Sequence, residues 1–217
     1  MHSFTEENYL KAIYKLQEIN SEVVATSALA QALGVHAPSV TDMLKRMAGK
    51  KLVTYQKSKG VKLTERGRQV AVGIIRNHRL WEVFLVDKLG YKWDEVHDLA
   101  EQLEHIHSED LINKLDKFLG FPKADPHGDP IPDANGVLPK SKAVLLSSLN
   151  VGEQGTFTGV TDHTPTFLNY LDKTGFSLGS TLKVTNIEEF DQTVTVLVKS
   201  KKEVTVSHKV ANSLLIS

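Results

Sequence analysis

One stretch of the sequence, HDLAEQLEHIHSEDL at residues 97–111, combines three histidines and five carboxylates with leucine and isoleucine. It contains no glycine or proline, and its apolar residues recur at helical spacing, which predicts a helix. Neighbouring carboxylates repel each other unless a cation joins them, so such a stripe indicates a metal site. A solvated helix face with ion pairs is the alternative. Four side chains at i, i+4, i+7 and i+8 project from one side: His97, Glu101, Glu104 and His105.

A second stripe precedes the first, because RNHRLWE places His78 and Glu82 at i and i+4. If the two helices pack antiparallel, the stripes converge. Imidazole nitrogen and carboxylate oxygen without sulfur suit Mn²⁺ or Fe²⁺, whereas Zn²⁺ more often takes four ligands. A metallohydrolase uses the same residue types, so an enzyme is a competing interpretation.

The composition is ordinary for a globular protein, and the lack of cysteine fits a reducing compartment. The chain has 217 residues and no cysteine, which excludes disulfides and thiolate metal sites and favours a cytoplasmic location. No run approaches the roughly eighteen apolar residues of a membrane helix, and MHSFTEENYL lacks the signal-peptide pattern. We therefore expect no membrane association. Residues 1–75 carry a net charge of +5 and residues 76–120 one of −4, which favours a polyanion-binding module beside a cation-binding one.

The first 75 residues have the pattern of a winged helix-turn-helix. Helical patterns cover FTEENYLKAIYKLQEI, with Thr5 as the expected N-cap, and residues 26–33 and 37–48, which flank a turn at Gly34. Two β-prone runs, LVTYQ and VKLT, flank KSKG and predict a hairpin. The expected shared core is Leu29, Leu33, Val35, Val40, Leu44 and Met47.

Polar residues outside that core predict a DNA-binding face, with a small protein-binding helical bundle as the alternative. A second helix laid in the major groove uses such residues for base edges, and a lysine-rich wing follows the phosphates. Thr26 and Ser27 either contact phosphate or cap a helix. The candidate DNA contacts are Thr26, Ser27, His36, Pro38, Ser39, Thr41, Asp42, Lys45, Lys57 and Lys59.

The remainder predicts a helical segment followed by a β module. We expect one long helix ending near Gly90, a second over WDEVHDLAEQLEHI, and a third opened by Ser108. Residues 121–144 hold five of the seven prolines and predict an irregular linker. From residue 145, short β-prone runs between turn residues predict a small barrel. The expected fold is mainly α with a β C-terminal module, divided at 1–75, 76–140 and 145–217.

Five segments, in this order, resemble the diphtheria-toxin-repressor family of metal-dependent regulators: TSALAQALGVHAPSVTDMLKRM, KGVKLTERG, RNHRLWE, VHDLAEQLEH and DPHGDPIP. The resemblance covers essentially the whole chain. It implies a winged helix, a helical metal-binding and dimerisation domain, and a C-terminal SH3-like module of the kind found in iron-transport accessory proteins (FeoA-like). It also implies a homodimer that binds a palindromic double-stranded DNA operator.

The resemblance further implies two sets of metal ligands. In the iron branch a cysteine stands where this chain has Glu101, so the resemblance implies Mn²⁺, with Fe²⁺ and Zn²⁺ as alternatives. Asn8 replaces an aspartate and Lys11 replaces a further acidic ligand, so we expect less negative charge and no binuclear cluster. The first set is His78, Glu101, Glu104 and His105, with Asn8 from the first helix. The second set is Glu82, His97, Asp125 and His127, completed by Asp162 or, less favoured, His163.

These implications predict a Mn²⁺-activated transcriptional repressor of metal-uptake genes. The competing interpretations are an Fe²⁺-activated repressor of the same family and a winged-helix regulator with an organic effector. For Asp125 and His127 a plain polar turn is the alternative to metal binding. Five apolar residues are candidates for either the dimer interface or the core: Trp81, Phe84, Leu85, Leu99 and Leu103.

Overall fold

The computed structural model describes residues 2–19, 23–139 and 142–217. The first part contains α1 (Phe4–Ile19), α2 (Thr26–Leu33), α3 (Ala37–Gly49), β1 (Val53–Gln56), β2 (Gly60–Leu63), α4 (Glu65–Leu89), α5 (His97–Leu103) and α6 (Glu109–Phe118). The second part contains β3 (Val144–Leu145), a short 3₁₀ turn (Leu146–Ser148), β4 (Gln154–Val160), α7 (Pro165–Thr174), β5 (Thr181–Ile187), β6 (Val194–Val198), β7 (Lys202–Val206), α8 (His208–Ala211) and β8 (Leu214–Ile216).

The N-terminal segment folds as the predicted winged helix-turn-helix. Gly34 ends α2 in the left-handed conformation, at φ 63°, which glycine adopts without a steric penalty. Pro38 lies in the first turn of α3, where its missing N–H is not needed. Strands β1 and β2 form an antiparallel hairpin. Apolar side chains of α1, α2, α3 and the hairpin share one core that includes Leu10, Ile13, Leu29, Val40, Leu44, Met47 and Val61.

Two local predictions in this segment are wrong. Thr5 lies inside α1, and the cap is Ser3, whose Oγ accepts from the Glu6 N–H at 3.2 Å. The Glu6 carboxylate accepts in turn from the Ser3 N–H at 3.2 Å, which completes a capping box. Val35 is 39% exposed and does not join the core. It follows the left-handed Gly34 and precedes α3, so helical periodicity does not govern its direction.

Three helices follow the hairpin, as predicted, but α5 is shorter than the pattern indicated. It ends at Leu103, so Glu104 and His105 lie in the turn after it. Ser108 opens α6, because its Oγ accepts from the Leu111 N–H at 3.3 Å. The polar side chains expected on one helix face therefore come partly from α5 and partly from the turn after it.

The C-terminal part is a six-stranded antiparallel sheet in the order β3-β8-β4-β5-β6-β7. Its core packs Phe157 against Phe176, with ring centroids 6.2 Å apart. Helix α7, which lies within this part, was not predicted. Its signals are present, since Pro165 occupies the first turn and Gly175 closes the helix at φ 92°. The predicted class, mainly α with a β C-terminal module, is confirmed.

The chain separates into two compact units. The segment predicted as a middle domain contributes to both of them, so the division at 1–75, 76–140 and 145–217 stays a prediction. No helix in the described ranges is both long and apolar enough to cross a membrane. Unit 1 is Met1–Trp81, Glu101–Leu115 and Pro132–Leu138, and unit 2 is Glu82–Ala100, Asp116–Ile131 and Pro139–Ser217.

Candidate metal centres and DNA-contacting face

Four of the five predicted ligands of the first set come together in unit 1, from α4, the end of α5 and the turn after it. The His78 Nδ1 lies 2.6 Å from the Glu104 Oε2, and the His105 Nε2 lies 3.8 Å from the Glu104 Oε1. Ligand atoms of His78 and Glu101 lie within 4.8 Å of each other. The Glu104 side chain has no exposed surface. We call this group the α1 cluster: Asn8, Lys11, His78, Glu101, Glu104 and His105.

Lys11 brings a positive charge into the α1 cluster. Its Nζ donates to the Glu101 Oε1 at 2.5 Å and to both Glu104 carboxylate oxygens at 2.6 and 2.8 Å. An ammonium group has three donors, and these contacts can use all of them. The two carboxylates that the sequence assigns to a metal therefore share a cation from the protein itself.

Two further features of α1 bear on this cluster. The side-chain carbonyl oxygen of Asn8 is buried and accepts no hydrogen bond within the described ranges, the state of an oxygen that can serve a cation. Glu7, which the sequence analysis missed, is buried and contacts the His105 Nδ1 at 2.6 Å and the His107 Nε2 at 3.1 Å. The signal for Glu7 was its spacing of four residues from Lys11, which places both on one side of α1.

The second set of predicted ligands comes together in unit 2, and we call Glu82, Asp125, His127 and His97 the Glu82 centre. Glu82, Asp125 and His127 are all buried, with ligand atoms within 4.8 Å of one another. The His127 Nδ1 lies 3.6 Å from the Glu82 Oε2 and 3.8 Å from the Asp125 Oδ1. The His97 Nδ1 lies 3.5 Å from the Glu82 Oε1. Carboxylate and imidazole donors at this spacing fit a divalent ion.

The orientation of His127 also fits a metal ligand. Its Nε2 lies 2.8 Å from the backbone carbonyl of Trp93, which can only accept, so Nε2 carries the proton. Nδ1 therefore faces the carboxylates, as in metal sites where the second ring nitrogen donates to a carbonyl. Burial lowers the pKa of His127, but Glu82 and Asp125 outweigh it and raise the pKa to about 9. In the metal-free protein a proton on His127 thus compensates these carboxylates.

The DPHG loop is held in place by bonds to its own backbone and to β4. The Asp125 Oδ1 accepts from the His127 N–H at 2.7 Å, and the His127 carbonyl accepts from the Val160 N–H at 2.9 Å. Gly128 has φ 91°, and a Cβ there would lie 2.1 Å from the Thr158 carbonyl oxygen. Only glycine, which has no Cβ, therefore allows the loop to lie this close to β4 at position 128.

Asp162 and His163 are the residues predicted to complete the second set of ligands. The Asp162 Oδ1 accepts from the N–H and the hydroxyl of Thr164 at 2.9 and 2.7 Å, so this carboxylate shapes the turn before α7. The His163 ring lies 5.0 Å from the His127 ring, centroid to centroid. Of the two, His163 has a ring contact with His127. The assignment of Asp162, or less favoured His163, as a further ligand stays a prediction.

The candidate DNA contacts lie on the outer side of the winged helix. The N-cap of α2 is Ala25 without a side-chain cap, so the capping role considered for Thr26 and Ser27 is not observed. The turn between β1 and β2 presents exposed Lys57 and Lys59. The α3 face presents His36, Pro38, Ser39, Asp42 and Lys45 as exposed residues and Thr41 as half-buried.

A winged helix-turn-helix combined with buried carboxylate–histidine clusters is typical of metal-responsive DNA-binding regulators. Comparison with protein families agrees. Residues 1–61 match the N-terminal DNA-binding domain of iron-dependent repressors. Residues 64–133 match the metal-binding and dimerisation domain of the same repressors, and residues 144–217 match the FeoA domain.

Individual relatives lead to the same family. The iron-dependent repressor IdeR of Mycobacterium tuberculosis (strain ATCC 25618 / H37Rv) is 38% identical over 128 residues, which cover 59% of this chain and 55% of that protein. The diphtheria toxin repressor of Corynebacterium diphtheriae is 34% identical over 128 residues, which cover 59% and 56% of the two chains. The matched stretch thus spans about half the length of these curated relatives.

Solved structures match over almost the whole chain. A manganese-dependent transcriptional repressor in complex with manganese is 39% identical, with 98% of this chain and 99% of that one covered and a TM-score of 0.89. ScaR with bound Zn²⁺ is 31% identical, with 98% of both chains covered and a TM-score of 0.77. The chain belongs to the family of metal-dependent transcriptional repressors that includes the diphtheria toxin repressor. These proteins are not enzymes, so the metallohydrolase interpretation is not supported.

Proposed function

We propose that this chain is a Mn²⁺-activated repressor that binds a palindromic operator as a homodimer and controls metal-uptake genes. The observation that carries the proposal is the Glu82 centre, where three buried nitrogen and oxygen donors converge. Hard oxygen donors with imidazole and without thiolate suit Mn²⁺, and the chain has no cysteine. The manganese-dependent repressor at 39% identity supports the same ion.

The residues of the Glu82 centre have separate roles in this proposal. A bound divalent cation would neutralise the Glu82 and Asp125 carboxylates, which His127 otherwise compensates by holding a proton. His127 would offer Nδ1, because its Nε2 is already bonded to the Trp93 carbonyl. His97 is a fourth donor next to Glu82.

The α1 cluster is the proposed link to DNA affinity. Helix α1 places Lys11 at the cluster, and it packs Leu10 and Ile13 into the core that also holds α3. A change at the cluster therefore reaches the helix that reads DNA. The metal regulates only through its higher affinity for the DNA-competent arrangement of the subunit. The ligands proposed for the cluster are Asn8, His78, Glu101, Glu104 and His105.

A two-fold operator requires two DNA-reading heads related by the same symmetry. Of the five apolar candidates for the dimer interface, Leu85 is buried within the subunit and belongs to its core. Four stay half-buried and are the proposed interface residues: Trp81, Phe84, Leu99 and Leu103.

The test is DNA binding measured with and without metal. An operator is selected from a random duplex pool with the full chain in Mn²⁺, and its affinity is then measured by fluorescence anisotropy in EDTA and in Mn²⁺. We expect Mn²⁺ to tighten binding for the unmodified chain and for the control His208→Gln, which alters an exposed histidine. His127→Gln should lose most of this response. Equal affinity in EDTA and Mn²⁺ would exclude metal activation.

An Fe²⁺-activated repressor is the second candidate, favoured by the iron-dependent repressor of M. tuberculosis at 38% identity. Anaerobic anisotropy titrations with Mn²⁺, Fe²⁺ and Zn²⁺ decide between the ions. Activation by Fe²⁺ at lower free concentration than Mn²⁺ would select iron. If none of the three ions raises the melting temperature, an organic effector is favoured instead.

A further inference from the structure

The Lys11 side chain is unusual among the lysines of α1 because it is buried together with carboxylates. Its side chain is 9% exposed, and that of Glu104 is 0% exposed. The ammonium contacts one oxygen of Glu101 and both oxygens of Glu104 at 2.5 to 2.8 Å. Lys15, one turn further along α1, is exposed.

A divalent ion would need the place that this ammonium occupies. Metal–oxygen bonds to carboxylates are about 2.0–2.6 Å long, and the Lys11 Nζ lies at a similar distance from the same oxygens. Two cations in that space repel each other strongly, because water does not screen charges in a buried site. Metal binding by Glu101 and Glu104 therefore requires the ammonium to withdraw.

The rest of the α1 cluster does not offset this competition. Asn8 offers a buried carbonyl oxygen but no negative charge. The buried carboxylate of Glu7 is already shared by His105 and His107.

We propose that the Lys11 ammonium takes the place of one divalent cation in the α1 cluster and competes with any metal there. Lys11 holds α1 to the turn after α5 without metal, and it makes the cluster the weaker of two sites, filled after the Glu82 centre. Lys11 thus sets how many ions a subunit binds at a given concentration. This inference rests on the proposed function, because it assumes that the Glu82 centre takes the first ion.

The test counts bound Mn²⁺ from the electron paramagnetic resonance signal of the free ion during titration. For the full chain we expect one tight site per subunit and a second that is much weaker. Lys11→Met should tighten the second site by about tenfold or more, because a like charge has been removed. Lys15→Met is the matched control and should leave both sites unchanged.

A second measurement separates this competition from a structural role of Lys11. In EDTA, Lys11→Met should lower the melting temperature, because buried carboxylates lose their counter-ion. Adding Mn²⁺ should then raise the melting temperature of Lys11→Met by more than it raises that of the unmodified chain. Lys11→Arg keeps the charge and should leave the second site weak. If Lys11→Met does not fold, Lys11→Arg still tests the proposal. A tight second site in Lys11→Arg would contradict competition by charge.

Failure of this inference is distinguishable from failure of the proposed function. In a His127→Gln background the tight site should be lost, and adding Lys11→Met should produce one new tight site. If Lys11→Met leaves the weak site unchanged while the unmodified chain keeps its tight site, the role of Lys11 is refuted and the Glu82 centre stands. If the unmodified chain binds no Mn²⁺, the proposed function itself fails.

Discussion

Replacing Gly128 by alanine should release His127 from the Glu82 centre without touching a proposed ligand. Gly128 has φ 91°, and a Cβ there would lie 2.1 Å from the Thr158 carbonyl oxygen, where ordinary contacts begin at 3.4 Å. The loop must therefore move by about 1 Å, whereas metal–ligand distances tolerate only about 0.2 Å. His127 is the preceding residue and moves with it.

The size of the effect follows from two contributions. An alanine in the left-handed region costs about 1–2 kcal/mol, and displacing the loop from β4 adds the loss of the His127–Val160 backbone hydrogen bond, about 1 kcal/mol. We expect the free energy of unfolding to fall by about 2–3 kcal/mol. The Mn²⁺ affinity of the Glu82 centre should fall by about 10- to 100-fold, as when the support of a ligand is removed.

Gly120→Ala is the matched control for this prediction. Gly120 also has a left-handed φ, 79°, but a Cβ there would meet nothing within 4 Å. This variant should lose only the conformational contribution, about 1–2 kcal/mol, and bind Mn²⁺ normally. Chemical denaturation gives the free energies and calorimetric titration gives the affinities. If Gly128→Ala binds Mn²⁺ as tightly as Gly120→Ala does, the loop does not position His127 in the way described.

Three further predictions address the proton at the metal centre, the wing and the cap of α1. Because the pKa of metal-free His127 is raised to about 9, Mn²⁺ must displace a proton at neutral pH, and its affinity should rise about tenfold per pH unit up to that value. Calorimetry across this range tests it. Replacing Lys57 and Lys59 together by alanine should reduce the slope of log affinity against log salt by about 2, measured by anisotropy. Ser3→Ala should lower the free energy of unfolding by about 1 kcal/mol in urea denaturation, because the capping box is lost.

Each of these predictions has a control and a contradicting outcome. His208→Gln, which alters an exposed histidine, should keep the pH dependence. An unmodified chain whose affinity is flat with pH would contradict a protonated His127. Lys201→Ala changes an exposed lysine of the β module and should keep the full salt slope. If the variant lacking Lys57 and Lys59 keeps the same slope, the wing does not contact DNA. Ser58→Ala should be neutral in the hairpin turn, and a Ser3→Ala variant equally neutral would contradict the capping role.

The fold followed from the sequence wherever local chemistry and periodicity agreed. Gly34 and Pro38 specify the turn and the start of α3 through their backbone preferences alone. At the start of α1 two residues could cap, and only the reciprocal bond with Glu6 decides for Ser3 over Thr5. Local sequence patterns cannot rank Ser3 and Thr5 as caps, because both offer a hydroxyl group.

The candidate sites were harder to derive because their members are distant in the sequence. The spacing of Glu101 and Glu104 indicated a cation, but Lys11 was expected only to prevent a second ion, not to contact both carboxylates. That contact joins residues about ninety positions apart in the sequence, so no local sequence pattern predicts it. The opposite case is Asp162, whose side chain is bonded to a residue two positions away and shapes a local turn.

Helix α1 carries ligand-facing and core residues in adjacent positions. Leu10 and Lys11 are neighbours, and Leu10 is completely buried in the winged-helix core. A substitution on the α1 face of the α1 cluster therefore also affects the core that α1 shares with α3.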